Sequence, residues 1–212
     1  MTYEDIVNGK DFELEAEVSH TGIKNFLIPE IEKQPVYARI ANMYQITGML
    51  AFVLAGFKAF MPFFTQRNSV YLWEMLYGLI FSFTILIFIH EGIHAIAYKC
   101  VGVKHLSFGM QLKKFLFYVQ ADKQVIDRKQ FTIVALAPAV TVATLSLLGM
   151  IFFYDKPLFY FFIPIFAFHS LFCGGDFGLL SFFQNRSDKE IVTFDLKKEG
   201  KTYFYSRKKQ TT

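Results

Sequence analysis

Apolar and polar positions along this 212-residue chain are sorted into long blocks rather than mixed. Four stretches are almost free of charge: Met43–Phe64, Leu72–Tyr98, Phe131–Tyr154 and Leu158–Phe183. Each meets or exceeds the ~20 residues a helix needs to cross a ~30 Å hydrocarbon core. Lys58 lies close enough to the end of the first block to snorkel outward. The pattern predicts an all-α integral membrane protein with four transmembrane helices, spanning about 43–64, 72–98, 131–154 and 158–183. Residues 1–42, rich in Glu and Asp, form an arm before the 43–183 membrane domain, and 184–212 form a polar, basic tail.

The connection between the second and third blocks has a different texture. Val101–Val119 alternates in places, is rich in β-branched and aromatic residues, and carries Gly109 as a turn or bulge candidate. It predicts a small β-hairpin-like insertion, whose exposed edge could accept an extended segment as an added strand. An ordinary interfacial hairpin is an equal reading.

Composition adds less than distribution does. Hydrophobic residues make up 53% and charged residues 19%, and soluble domains are also about half apolar. The arm opens on Glu4, Asp5, Asp11, Glu13, Glu15 and Glu17 with no apolar core behind a basic start, unlike a signal peptide. Two cysteines, Cys100 and Cys173, make no disulfide framework. The net charge of +4 is spread through connections without a nucleic-acid motif, so no nucleic-acid partner is expected.

Charge does set an orientation. Lys99, Lys104, Lys113, Lys114, Lys123, Arg128 and Lys129 lie between blocks two and three, and eight further basic residues lie in the tail. The short connections on the other side hold only Arg67 and Lys156. The positive-inside rule puts both termini and the middle connection in the cytoplasm. Tyr71 and Trp73 then mark the outer interface, Tyr44 and Tyr98 the inner one.

The candidate chemistry sits near the end of the second block, in His90-Glu91-Gly92-Ile93-His94. On a helix, positions i and i+4 share a face, so two imidazoles can meet one metal ion. Glu91 then stands where a general base would take a proton from water. Ionisable groups inside a span are costly and are functional candidates by default. Asp176 is the only acidic residue of the fourth block, and it lies as far from that block's start as His90 lies from the start of its own. Gly174 and Gly175 before it allow close backbone approach. Two histidines, one carboxylate and an open position form the usual catalytic zinc set. His169 is a spare ligand or proton relay at most, and a satisfied interior histidine by preference. His20 and His105 read as loop residues, and Pro138 as a kink in the third helix.

With its basic strand-like connection, Ala137-Pro138 helix and late Gly175-Asp176, the chain resembles site-2-protease-type intramembrane zinc metalloproteases. It is more closely similar to the zincin peptidase family of small bacterial membrane proteins. The resemblance covers roughly residues 72–206. It implies His90, His94 and Asp176 as Zn²⁺ ligands and Glu91 as the catalytic base. The better-known site-2 proteases carry Asn-Pro or Leu before the Asp-Gly of their third-ligand motif, where this chain has Gly174-Gly175-Asp176-Phe177-Gly178. No oxyanion-stabilising residue is therefore implied.

The expected function is a zinc metalloprotease of the bacterial cytoplasmic membrane, hydrolysing peptide bonds near the cytoplasmic face. Its partners would be a membrane protein or peptide substrate and the lipid bilayer. The alternative is a non-proteolytic metal-binding or ion- or proton-transport protein using the same His/Glu/Asp cluster. Transport favours polar groups spread through the depth of several helices, whereas here they gather at one end.

Overall fold

The computed structural model describes residues 2–19, 22–111 and 116–209. His20, Lys113, Lys114 and the turn of the expected hairpin lie outside them. The chain is mostly helical, at 64%. The helices are α1 (Tyr3–Asn8), α2 (Ile23–Glu32), α3 (Val36–Gln66), α4 (Val70–Phe83), α5 (Ile85–Cys100), α6 (Arg128–Phe152), α7 (Phe159–Phe172) and α8 (Gly174–Gln184). The strands are β1 (Glu13–Ser19), β2 (Ser107–Gln111), β3 (Leu116–Gln120), β4 (Ile126–Asp127), β5 (Lys189–Leu196) and β6 (Lys201–Lys208). The chain divides into two compact units, one of residues 1–38, 91–137 and 175–212, the other of 39–90 and 138–174.

Two helices, α3 and α6, are long and apolar enough to cross a membrane by themselves. The second and fourth apolar blocks are each broken into a bent pair, α4 with α5 at 47° and α7 with α8 at 41°, so the number of candidate spans is two to four. The first break has a local cause. Ser82 Oγ donates to Gly78 O at 2.7 Å and Thr84 Oγ1 to Ile80 O at 2.6 Å. Hydroxyls bonding back to carbonyls one turn earlier bend helices, and Thr84 leaves helical geometry at φ −120°, ψ −82°. The second break falls at Cys173, ahead of Gly174 and Gly175.

The unit of residues 39–90 and 138–174 is held by shape and aromatic contact. Ala55, Ala59, Met75, Tyr160 and Ile163 form its buried cluster. A Cβ on Gly78 would collide with the carbonyl oxygen of Phe161, so α4 and α7 touch backbone to backbone there. Small residues permit such close approach of helix backbones. Phe83 and Phe168 pack at 4.9 Å between centroids, Phe52 and Phe168 at 5.2 Å.

The other unit contains the four-stranded sheet, in the order β1-β6-β5-β4, with antiparallel pairing throughout. The arm and tail, expected as polar extensions, are thus partners in one sheet. β5 pairs with β6 in unbroken register from Lys189↔Lys208 to Leu196↔Lys201, and Gly200 closes the turn at φ +64°. Val192 and Phe194 pack with Ile6 and Phe12. Phe204, in register with Thr193 and so on the opposite face, meets Phe26 at 5.9 Å and Phe182 at 4.7 Å. Both faces are covered, which is why Ile191 through Asp195 are all buried.

Ion pairs close the same unit. Arg186 reaches Glu15 at 2.8 Å and Glu30 at 3.0 Å, while Lys189 reaches Glu15 at 2.7 Å. Burial pushes the Glu15 carboxyl up, but bonds from Lys189, Ser206 and Arg186 outweigh it and hold the group down at about 2. Asp195 is shifted in the opposite direction. Burial lifts it to about 6 against bonds from Thr202 and the Ala121 N–H, with Asp122 nearby adding to the rise.

The insertion is the hairpin expected, β2 pairing with β3 from Ser107↔Gln120 to Gln111↔Leu116. Gly109 is neither turn nor bulge. It lies in regular register opposite Tyr118, whose ring occupies the space a Cβ would need. A strand glycine marks close approach as readily as a bulge.

Candidate functional site

α5 carries His90, Glu91 and His94. The two histidines stand one turn apart, so they share a helix face. Asp176 is in the first turn of α8, immediately after the break at Cys173. One ligand atom from each of His90, His94 and Asp176 lies within 4.8 Å of the other two. His90 and His94 are 7% and 8% exposed, and the Asp176 side chain 18%. A site dry on the imidazole side with partial access at the carboxylate suits a group that must admit a substrate.

The closest pair is His94 Nε2 and Asp176 Oδ1, 3.3 Å apart. Ligand atoms bound at ~2.0–2.1 Å around a tetrahedral zinc are about 3.3 Å from one another. The donor set and its spacing therefore fit zinc.

What orients His94 comes from the sequence of α6. Its Nδ1 lies 3.0 Å from the backbone oxygen of Val134. In a helix that oxygen would accept from the N–H of residue 138, but residue 138 is proline and has none. The missing helix bond leaves a buried carbonyl in need of a donor, and His94 Nδ1–H supplies it. The tautomer is thereby set, and Nε2 is turned toward Asp176. Metal-ligating histidines almost always make such a bond through the second ring nitrogen. Pro138, read from sequence as a kink, has this more specific role. The signal was present in the chain: a proline inside an apolar helix names the carbonyl four residues earlier.

His90 is oriented differently. Its Nδ1 lies 3.0 Å from His169 Nε2, and His169 lies in turn 3.5 Å, through Nδ1, from the Cys173 sulfur. His169 and Cys173 are fully buried. His169 is thus the satisfied interior histidine that sequence favoured, and its partner is a motif histidine. The Cys173 contact was missed, although His169 and Cys173 share the i, i+4 spacing of the metal motif.

Glu91 is held by the hairpin. The Val119 N–H donates to Glu91 Oε2 at 3.0 Å. That N–H belongs to the side of β3 facing away from β2, since Val119 is opposite Phe108 at a pair that leaves it available. Among the residues singled out from sequence, His105 lies in the coil before β2, away from any element.

Two imidazoles and a carboxylate around one point, with a glutamate beside the first imidazole, form a group that could hold a metal ion. The chain matches the model of the family described as "Putative zincin peptidase" over residues 83–189, half its length, and it belongs to that family. The match runs from the break before α5 to the start of β5, taking in all four site residues. No curated protein and no solved structure matches the chain. Zincin chemistry is zinc chemistry, and the His/Asp group has the spacing to bind the ion.

Proposed function

We propose that this protein is a membrane-embedded zinc metalloprotease, similar in its chemistry to site-2 proteases, that hydrolyses a peptide bond near the cytoplasmic membrane face. The observation that carries the reading is the convergence of His90, His94 and Asp176 within 4.8 Å on helices of apolar sequence. Membership of a zincin family supports it independently. Both termini and the hairpin face the cytoplasm in this reading, on the lysine and arginine asymmetry.

His90, through Nε2, His94, through Nε2, and Asp176, through a carboxylate oxygen, would hold the ion. The chemistry that zinc would supply there is that of a Lewis acid, lowering the pKa of a water to about 7 and polarising a carbonyl. Glu91 is the general base. It takes the proton of the attacking water and returns it to the leaving amine, a role worth 10²–10⁴-fold in rate. Val119 fixes one carboxylate oxygen, so Glu91 keeps its aim through both transfers. The edge of β3 that supplies this N–H also stands where an extended substrate could align.

Glu91→Gln separates catalyst from metal scaffold. The variant keeps side-chain volume, folds and retains about one zinc per chain. Its cleavage of a membrane-embedded peptide falls by on the order of 10²–10⁴-fold or more. Equal processing by wild type and variant, or none by either across a broad panel of membrane peptides, would remove the enzymatic reading.

A further inference from the structure

The contact that orients His90 has a second chemical use. His90 Nδ1, His169 Nε2 and Cys173 Sγ form a group of their own, with ligand atoms within 4.8 Å of one another. The nitrogens are 3.0 Å apart, and the sulfur is 3.8 Å from His169 Nε2. Ions with bonds of ~2.0–2.3 Å to nitrogen and sulfur hold such atoms about 3.3–3.6 Å apart, so these two separations need only a few tenths of an ångström of adjustment, and the third, from His90 to Cys173, is within 4.8 Å. All three residues belong to the unit of residues 39–90 and 138–174, and all are buried.

We propose that His90, His169 and Cys173 form a second metal position, selective for Cu(I), that competes with zinc for His90. Selectivity follows from ligand softness and from charge. A thiolate with two imidazoles suits a soft monovalent ion. One Cu⁺ with one thiolate and two neutral imidazoles is a complex of zero net charge. A divalent ion in the same place would leave a net positive charge in apolar surroundings, which is costly. Binding exchanges the thiol proton for the metal ion, with one proton released and no change of oxidation state.

Competition follows from the imidazole tautomers. Zinc on His90 Nε2 requires the proton on Nδ1, where it is shared with His169. Copper on His90 Nδ1 requires the proton on Nε2, which removes that atom from the zinc group. One neutral His90 cannot serve both ions. Copper loading therefore takes one of the three ligands from the zinc position. The competition rests on the zinc reading above, whereas the copper site itself does not.

The test is an anaerobic titration of the full chain in detergent with Cu(I), against a colorimetric Cu(I) chelator, with zinc content measured on the same samples. Wild type should hold one Cu(I), with an ultraviolet thiolate-to-copper band and X-ray absorption showing one sulfur and two nitrogen neighbours. Cys173→Ser, close in volume, should lose the band and weaken Cu(I) binding by more than the 10–100-fold typical of losing an outer-shell partner. Cys100→Ser, which changes the exposed thiol, should bind as wild type does. Zinc retention should fall as Cu(I) is added to wild type and stay constant in Cys173→Ser.

No Cu(I) retained by wild type, or binding that survives Cys173→Ser and is lost in Cys100→Ser, overturns the proposal. The spectroscopic readout needs no variant, so a misfolded Cys173→Ser would not rescue it. His94→Ala should lose zinc and keep Cu(I). A wild type that binds Cu(I) but never zinc supports the copper site and sinks the peptidase reading, which keeps the two failures apart.

Discussion

The two units of this chain settle their polar groups in opposite ways. In residues 39–90 and 138–174, hydroxyls and amides turn to backbone carbonyls: Ser82 to Gly78, Thr84 to Ile80, Ser170 to Ala167 and Gln45 to Ser170. In the sheet-containing unit, carboxylates find cations far away in sequence, as Glu15 finds Arg186 and Lys189. On the membrane reading proposed above, the difference is one of solvent. Where water is scarce, an ion must be desolvated before it can pair, and the penalty can exceed the attraction. A carbonyl left over by a proline or a bend is the less costly partner. The motif histidines divide between the units: His90 uses a second imidazole within residues 39–90 and 138–174, and His94 uses Val134 O and faces Asp176 within the sheet-containing unit.

The largest effect should come from the one carboxylate aimed at the metal group from α8. Asp176→Ala should lose zinc, measured as metal per chain after dialysis, by more than the 10–100-fold cost of an outer-shell change. Full retention would place the third ligand elsewhere.

Pro138→Ala tests the carbonyl argument directly. Alanine restores an N–H at position 138, which then competes with His94 for Val134 O. Zinc affinity should fall about 10–100-fold, while the helix itself, freed of proline, should melt no earlier. Unchanged affinity in a folded variant would mean that His94 is oriented by something other than that carbonyl.

Asp195, in the sheet unit, is a buried carboxylate that accepts from Thr202 Oγ1 at 2.6 Å. Its folded pKa, about 6, lies above the ordinary value of 3.8. The protonated form is thus the one the fold prefers, and its contribution is complete below about 3.8 and lost as pH rises through about 6. Asp195→Asn should raise stability by roughly 1–3 kcal/mol at pH 8 and by little at pH 4. Thermal unfolding at the two pH values checks it.

The smallest effect belongs to Glu15, which has the opposite sign. Its pKa is held at about 2 against an ordinary 4.5, so its contribution is present above about 4.5 and lost as pH falls toward 2. Wild type should exceed Glu15→Gln by about 1–2 kcal/mol at pH 7, with the gap narrowing through that acid window. A gap that is independent of pH would assign the effect to packing.

Much of the site was legible because spacing carries it. His90, Glu91 and His94 announce themselves on any helix, and Asp176 stands out as the lone acid of its block. The hairpin was legible from texture, although Gly109 was misread because a bulge and an aromatic cross-strand contact look alike in one strand. The breaks at Thr84 and Cys173 were not, since each apolar block runs through them without a change in composition. The sheet formed by arm and tail was hidden for another reason. Ile191-Val192-Thr193-Phe194 and Tyr203-Phe204-Tyr205 are strand-like and pair with each other, but β1, the second partner of β6, begins more than 170 residues earlier. The Cys173 contact was hidden by the ordinary look of one cysteine at a helix end.

The placement of β1 against β6 has a consequence for how the molecule is made. β1 is synthesised before the apolar blocks, and its partner β6 after them. Contacts so distant in sequence form late, after the chain between them is fixed. A nascent chain that has emerged through His94 holds two of the three candidate metal ligands, and Asp176 follows only 82 residues later. The acidic arm waits longer, since Arg186 follows Glu15 by 171 residues. Order of synthesis thus keeps the candidate metal group incomplete until the fourth apolar block has been made.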